Sequence, residues 1–135
     1  MAALSSLSKF KNSGLLLIRV GLGIMFIMHG YPKLFGGPEF WKNVGQAMQH
    51  VGITFLPMAW GFLAAIAETI GGFLLLIGLL FRPATLALAF TMLIASLHHL
   101  NAGDGLMGSS HAIEVGVVFL GLAFLGPGKY SVDRN

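Results

Sequence analysis

The sequence contains no cysteine and few charged residues, and both absences restrict what the protein can be. Without cysteine, the chain cannot form a disulfide framework, a thiolate metal site or a dithiol relay of its own. Charged residues make up 10% of the chain, against about a quarter in a typical soluble domain. Any redox chemistry in this protein therefore needs a bound cofactor or a partner protein.

Apolar side chains are present in excess: they make up 56% of the 135 residues, and the mean hydropathy is +0.81. A single domain of this length needs an apolar solvent to accommodate that excess. The net charge of +3 comes from lysine and arginine residues near the ends of apolar runs, not from a basic face with interleaved aromatic residues. The composition therefore predicts an integral membrane protein in a lipid bilayer, and it argues against a nucleic acid partner.

Four apolar runs predict an all-α, up-down bundle of four membrane-spanning helices that forms a single domain over residues 1–135. A span needs about 20 residues, within a range of about 17 to 25. The predicted spans cover residues of about 14–35, 58–80, 84–100 and 111–126. The fourth run is short, so we expect its helix to begin earlier or to lie in a thinner part of the bilayer. The segment Phe81-Arg82-Pro83 predicts a tight hairpin between the second and third spans.

The stretch between the first two spans is more polar, and its apolar residues recur with helical spacing. One face of that helix collects Phe40, Val44, Ala47, Met48 and Val51. Pro38 suits the start of this helix, and Gly52 suits its end. The pattern predicts a short amphipathic helix that lies on the membrane surface or over the mouth of the bundle.

Basic residues at the ends of the spans predict the orientation of the chain in the membrane. With four spans, both termini and the turn between the second and third spans share one side. That side carries Lys9, Lys11, Arg82, Lys129 and Arg134, and the other side carries Lys33 and Lys42. Because cytoplasmic loops of membrane proteins are enriched in lysine and arginine, we expect both termini in the cytoplasm.

Each predicted span also carries ionisable residues, which are costly in lipid and therefore usually face the bundle interior or a wet cavity. The relevant residues are His29 in the first span, Glu68 in the second, His99 in the third and Glu114 in the fourth. A rise of about 1.5 Å per residue places all four about 18 to 24 Å from the cytoplasmic end, in one polar layer. Arg19 lies much nearer the cytoplasmic end, and we expect its side chain to extend to that surface.

The neighbours of these residues predict which way they face. Glu68 lies among the small residues Gly61, Ala64, Ala65, Gly71 and Gly72. Small residues let helices approach closely, so Glu68 is expected to point towards a neighbouring helix. In the fourth span, His111 and Glu114 are three residues apart, and Gly121 lies on nearly the same face.

Several motifs follow one another in a recognisable order. They are Arg19 followed by Gly21 and Gly23, His29-Gly30-Tyr31-Pro32-Lys33-Leu34, Ala67-Glu68 before Gly71-Gly72, Phe81-Arg82-Pro83, His98-His99, Glu114, and Gly126-Pro127-Gly128-Lys129-Tyr130-Ser131-Val132-Asp133. From Leu15 to Arg134, this ordered set resembles the DoxX family of small four-span bacterial membrane proteins. The family is similar to the small subunits of thiosulfate:quinone oxidoreductase, and some members are linked to membrane oxidoreductase complexes that protect against oxidative stress. The resemblance implies a multi-pass protein of the bacterial inner membrane.

We interpret the polar layer as a pocket for a quinone headgroup, in which a histidine bonds a carbonyl oxygen and a carboxylate delivers a proton. The predicted catalytic residues are His29, Glu68 and Glu114. The predicted cofactor-binding residues are His29, Lys33, Glu68, His98 and His99. No metal ligands are assigned. His111 and Glu114 with a further histidine supply a mixed donor set, so a metal or haem stays open as an alternative.

Other interpretations of the same residues are open as well. Glu68 and Arg19 can form a structural ion pair that fixes the helix register, although their estimated depths differ by about 10 Å. The whole protein can be a non-catalytic accessory or assembly subunit of a larger membrane complex, or a proton-coupled carrier for a small solute. The helices have more glycine and alanine faces than helix packing within one bundle requires, which favours a homo-oligomer.

Overall fold

The computed structural model describes residues 3–134, and within that range the chain forms five α-helices and no strand. The helices are α1 (Lys11–Leu34), α2 (Pro38–Gly45), α3 (Pro57–Ile77), α4 (Phe81–Asn101) and α5 (Gly105–Leu125). Short 3-10 helices precede α1 (Ser5–Phe10) and follow α2 (Gln46–Val51). Four helices are long and apolar enough to cross a membrane: α1 with the 3-10 turn before it, α3, α4 and α5. The predicted all-α membrane bundle is confirmed; residues 1, 2 and 135 of the predicted domain lie outside the described range.

The helix boundaries differ from the predicted ones at two turns. The fourth span begins at Gly105, so it is a full span, and only residues 102–104 separate it from α4. The turn between α3 and α4 consists of residues 78–80, because Gly78 ends α3 in the left-handed conformation with φ of 73°. The first change lengthens α5. The second ends α3 earlier than predicted and makes Phe81-Arg82-Pro83 the first turn of α4. Only three residues are then left non-helical at each turn, which suits a bilayer in which backbone groups must be hydrogen-bonded within the segment.

Glycine residues set the closest helix contacts. In the bundle, α1 packs against α3, α3 against α4, and α4 against α5, while α2 packs across one end of α3. A Cβ atom on Gly23 of α1 would lie 2.7 Å from the carbonyl oxygen of Gly72 in α3. Gly61 of α3 is in similarly close contact with the backbone of Trp41 in α2. The small residues around Glu68 thus do face neighbouring helices.

Arg19 is 1% exposed, so the expectation that it extends to the membrane surface is wrong. Its guanidinium donates hydrogen bonds to the carbonyl oxygens of Leu75 (3.1 Å), Leu76 (2.8 Å), Pro127 (3.2 Å) and Tyr130 (2.7 Å). The last carbonyl groups of a helix have no partner within it, and five guanidinium N–H groups can satisfy several of them at once. Arg19 therefore joins α1 to the end of α3 and to the C-terminal segment.

The C-terminal segment also caps α4. The Asp133 carboxylate accepts hydrogen bonds from the backbone N–H groups of Leu80 (3.1 Å) and Phe81 (2.8 Å). A carboxylate at the start of a helix satisfies free N–H groups and interacts favourably with the helix dipole. Near the start of α1, Asn12 accepts a hydrogen bond from the N–H of Lys129 (2.9 Å). Both chain ends thus meet at one end of the bundle, called here the termini end; the opposite end, which holds α2, is the α2 end.

The close contact of α1 with α3 yields a prediction with a matched control. We expect Gly23→Ala to lower the free energy of unfolding by about 1 to 3 kcal/mol, because the added methyl group collides with the Gly72 backbone. Gly21 has nothing within 4 Å of its Cβ position, so Gly21→Ala should be neutral or stabilising. Unfolding both variants by denaturing detergent in mixed micelles measures the difference. Equal effects at the two positions would contradict the described contact.

Candidate functional site

A cavity of about 550 Å³ lies between α3 and α4 at the α2 end of the bundle. Its helical walls carry small side chains where the two helices face each other: Ala64, Ala67, Ala87 and Ala95. The remaining wall is the amphipathic segment, residues 38–51, which contributes Phe40, Val44, Ala47 and Met48. The predicted amphipathic helix is therefore present, and its apolar face covers the mouth of a space that alanine residues leave unfilled.

An ion pair forms the polar end of this cavity. The Lys33 ammonium lies 2.9 and 3.0 Å from the two carboxylate oxygens of Glu68, and the side chains are 33% and 5% exposed, respectively. Gly30, one turn before Lys33, makes the contact possible, because its missing side chain lets α1 lie directly against Glu68 and Thr69. Buried charges are tolerated when they are paired and hydrogen-bonded. Glu68 therefore pairs with Lys33, and the proposed pairing with Arg19 is wrong.

Two histidines of α4 line the same cavity. The His98 ring lies 5.9 Å from the ring of His50 in the amphipathic segment, measured between centroids. Nδ1 of His99 lies 2.7 Å from a carboxylate oxygen of Asp104, in the turn before α5. Asp104 thus fixes the orientation of His99 and connects the cavity to the exposed α2 end.

Part of the cavity wall is apolar and belongs to the membrane-spanning helices. Leu63 of α3 and Phe90 of α4 line the cavity and are 51% and 47% exposed. Both residues lie within helices that are long and apolar enough to span the membrane. The cavity therefore offers an apolar surface within the spanning part of the bundle.

Trp60 is a cavity residue that the sequence analysis did not predict. Its indole N–H is buried and has no hydrogen-bond partner within residues 3–134, and the side chain borders the cavity. Buried N–H groups in proteins are nearly always bonded, so an unpaired one beside a cavity is informative. A tryptophan near the end of a span is typical of an interface anchor, and no local sequence signal distinguishes that role from a cavity wall.

The structure divides the predicted polar layer into two groups. Lys33, Glu68, His98 and His99 line the cavity, but His29 and Glu114 do not. Both are exposed: the His29 ring is 6.3 Å from the His111 ring between α1 and α5, and Glu114 faces outward on α5. In residues 3–134, no three histidine or acidic side chains are close enough to hold a metal ion. Depth along the membrane was therefore insufficient to predict which groups meet.

The family model described as DoxX matches residues 14–100. The chain belongs to the DoxX family. The matched range includes Lys33, Glu68, His98 and His99 of the cavity, whereas Glu114 lies beyond it.

Whole-length similarity to curated proteins agrees with the family. The DoxX chain is 32% identical to inner membrane protein YqjF of Escherichia coli K12 over 131 residues, which cover 95% of each protein. It is 29% identical to inner membrane protein YphA of the same organism over 129 residues, 90% of this chain and 89% of that one. It is 31% identical to the uncharacterized membrane protein Rv3486 of Mycobacterium tuberculosis over 137 residues, 87% and 78% of the two chains. No solved structure matches the sequence.

The Lys33–Glu68 ion pair predicts a coupling that can be measured. We expect Glu68→Gln to lower the free energy of unfolding by about 1 to 3 kcal/mol, because the Lys33 ammonium loses its charged acceptor. Adding Lys33→Met should recover part of that loss, which gives a coupling energy of about 1 kcal/mol in a double-mutant cycle. Glu114→Gln is the control for carboxylate removal, because Glu114 has no ion pair within residues 3–134. Strictly additive effects of the two cavity substitutions would refute the pairing.

Proposed function

We propose that this DoxX protein binds a quinone in the cavity between α3 and α4 and serves a membrane oxidoreductase, either as the enzyme or as its quinone-binding subunit. The observation that carries the proposal is the combination of an apolar wall within the membrane-spanning helices with polar groups at two levels of the cavity: the Lys33–Glu68 pair and, about 13 Å nearer the α2 end, His98 and His99. A quinone has the matching chemistry, since an apolar tail follows a headgroup with carbonyl oxygens.

The dimensions and donors of the cavity support this ligand class. A volume of about 550 Å³ falls within the range of about 300 to 1,000 Å³ that is typical of small-molecule sites. Lys33 and the imidazole groups can donate hydrogen bonds to carbonyl oxygens, and the exposed surfaces of Leu63 and Phe90 can contact the tail. A bound quinone would supply the coupled electron and proton transfer that the side chains of this cysteine-free chain lack.

The residues of the site have distinct proposed tasks. Lys33 holds the Glu68 carboxylate in place at the polar end, where it can accept or return a proton. His99 both lines the cavity and lies against the half-exposed Asp104, so protons can pass between the α2 end and the cavity. Electrons would come from a redox partner within a membrane oxidoreductase complex. His29 and Glu114 have no part in this site, although the sequence analysis had assigned them to it.

The membrane and orientation of the protein form part of the same proposal. The relatives YqjF and YphA are inner membrane proteins, and we assign this chain to the bacterial inner membrane on that similarity. The distribution of lysine and arginine supports an orientation with the termini end in the cytoplasm; in that orientation the cavity lies in the half of the bilayer away from the cytoplasm.

Filling the cavity tests the proposal. Ala67→Phe introduces an aromatic ring into the wall, and Leu17→Phe adds a similar ring at an exposed position of α1 outside the cavity. Titration of protein in lipid nanodiscs with a short-tailed quinone, followed by tryptophan fluorescence, should show quenching because Trp60 borders the site. We expect Ala67→Phe to abolish binding, Glu68→Gln to weaken it about tenfold, and Leu17→Phe to leave it unchanged.

Quinone content after purification in mild detergent provides a second measurement. We expect the unaltered protein and Leu17→Phe to retain quinone, and Ala67→Phe to lose it. Absence of quinone from the unaltered protein in both measurements would reject the proposal. Solute flux driven by a pH gradient in proteoliposomes would then support a carrier, and stoichiometric copurification with a larger complex would support an accessory subunit.

A further inference from the structure

The outward face of α5 carries ionisable groups at membrane depth. His111, Glu114, Val117 and Gly121 are all exposed along this face. Glu114 lies nine residues after the first residue of α5, which places it about 13 Å below the α2 end of the helix. A carboxylate at that depth is among the most costly groups to expose to acyl chains. Within residues 3–134, it has no ion pair and no hydrogen bond.

We propose that α5 of a second copy of this chain covers the face in a two-fold symmetric dimer, with Glu114 of each copy accepting a hydrogen bond from His111 of the other. Two parallel copies place the same residues at the same depth. Every contact in a two-fold symmetric interface occurs twice. If His111 of one copy contacts Glu114 of the other, then Glu114 of the first copy contacts His111 of the second. His111 and Glu114 are one helical turn apart, so a single surface supplies both halves of two identical contacts.

The charges on this face favour a second copy over an unrelated partner. Glu114 needs a hydrogen-bond donor close to its own depth, and His111, about 4.5 Å nearer the α2 end, provides one in every copy. The neighbouring titratable group from α1 is His29, whose ring lies 6.3 Å from that of His111. It is also a possible donor, so the face combines one acidic and two imidazole groups. Such a surface is complementary to itself.

Gly121 is a second feature of the same face. A Cβ atom placed there would have nothing within 4 Å, whereas those on Gly23, Gly61 and Gly72 would meet another backbone. Those three glycines are used within the bundle, and Gly121 is not. It lies two turns from Glu114 on the same side of α5, where a missing side chain lets a second helix approach closely.

The absence of cysteine from the chain makes a direct test possible, because single-cysteine variants have no background reaction. Val117→Cys and Gly121→Cys place a thiol on the proposed interface. Ile70→Cys and Leu93→Cys place one on exposed sites of α3 and α4. We expect oxidation in proteoliposomes at low protein density to cross-link identical chains at 117 and 121 and not at 70 and 93.

Substitutions of the charged pair test the contact itself. We expect Glu114→Leu and His111→Glu each to weaken dimerisation about tenfold, and the double substitution His111→Glu with Glu114→His to restore it. Thermal unfolding of each variant checks that the monomer fold is intact. The proposal is overturned if Glu114→Leu dimerises like the unaltered protein, or if all four cysteine positions cross-link equally. Cross-linking of positions 117 and 121 to a different protein would also overturn it.

Discussion

The close packing of α1 against α3 determines where the ionisable groups of this protein lie. Gly23 and Gly72 bring the two backbones into contact, and Gly30 continues that contact to the level of Glu68. Only at this distance can the Lys33 ammonium reach the Glu68 carboxylate. The polar end of the cavity therefore depends on glycine residues, which have no side chain.

Lipid makes each polar group costly unless a partner satisfies it, and the bundle satisfies its polar groups in different ways. Arg19 donates to the carbonyl groups of a helix end and of the C-terminal segment, so it holds the termini end together. Glu68 pairs with Lys33 and leaves one side open to a cavity. Glu114 has no partner within residues 3–134, and for that reason we expect it at an interface. One physical rule thus accounts for the structural role of Arg19, for the ligand-binding role proposed for Glu68 and for the assembly role proposed for Glu114.

Much of the fold and part of the site could be predicted from the sequence. Hydropathy predicted the four spans, and apolar spacing predicted the amphipathic segment over the bundle mouth. Helical rise predicted that Glu68 and His99 lie near the same level, but with α3 ending at Ile77 and α4 beginning at Phe81 they lie about 13 Å apart along the bundle, although both line one cavity. The family resemblance is confirmed by the match to residues 14–100. The spans and the amphipathic segment depend on the order of residues along each helix, so they can be predicted from a single sequence.

The sequence by itself determined the membrane class, the number of spans and which span carries each ionisable group. Only the tertiary structure decided which way those groups face: Arg19 towards carbonyl groups, Glu68 towards Lys33, and Glu114 away from the bundle. The depth of a residue follows from a fixed rise along its own helix, but its partner follows from the rotation and position of the neighbouring helices. The cavity depends on that packing too, because it is a space between helices. The burial of the Trp60 N–H group also results from the way neighbouring elements pack around it.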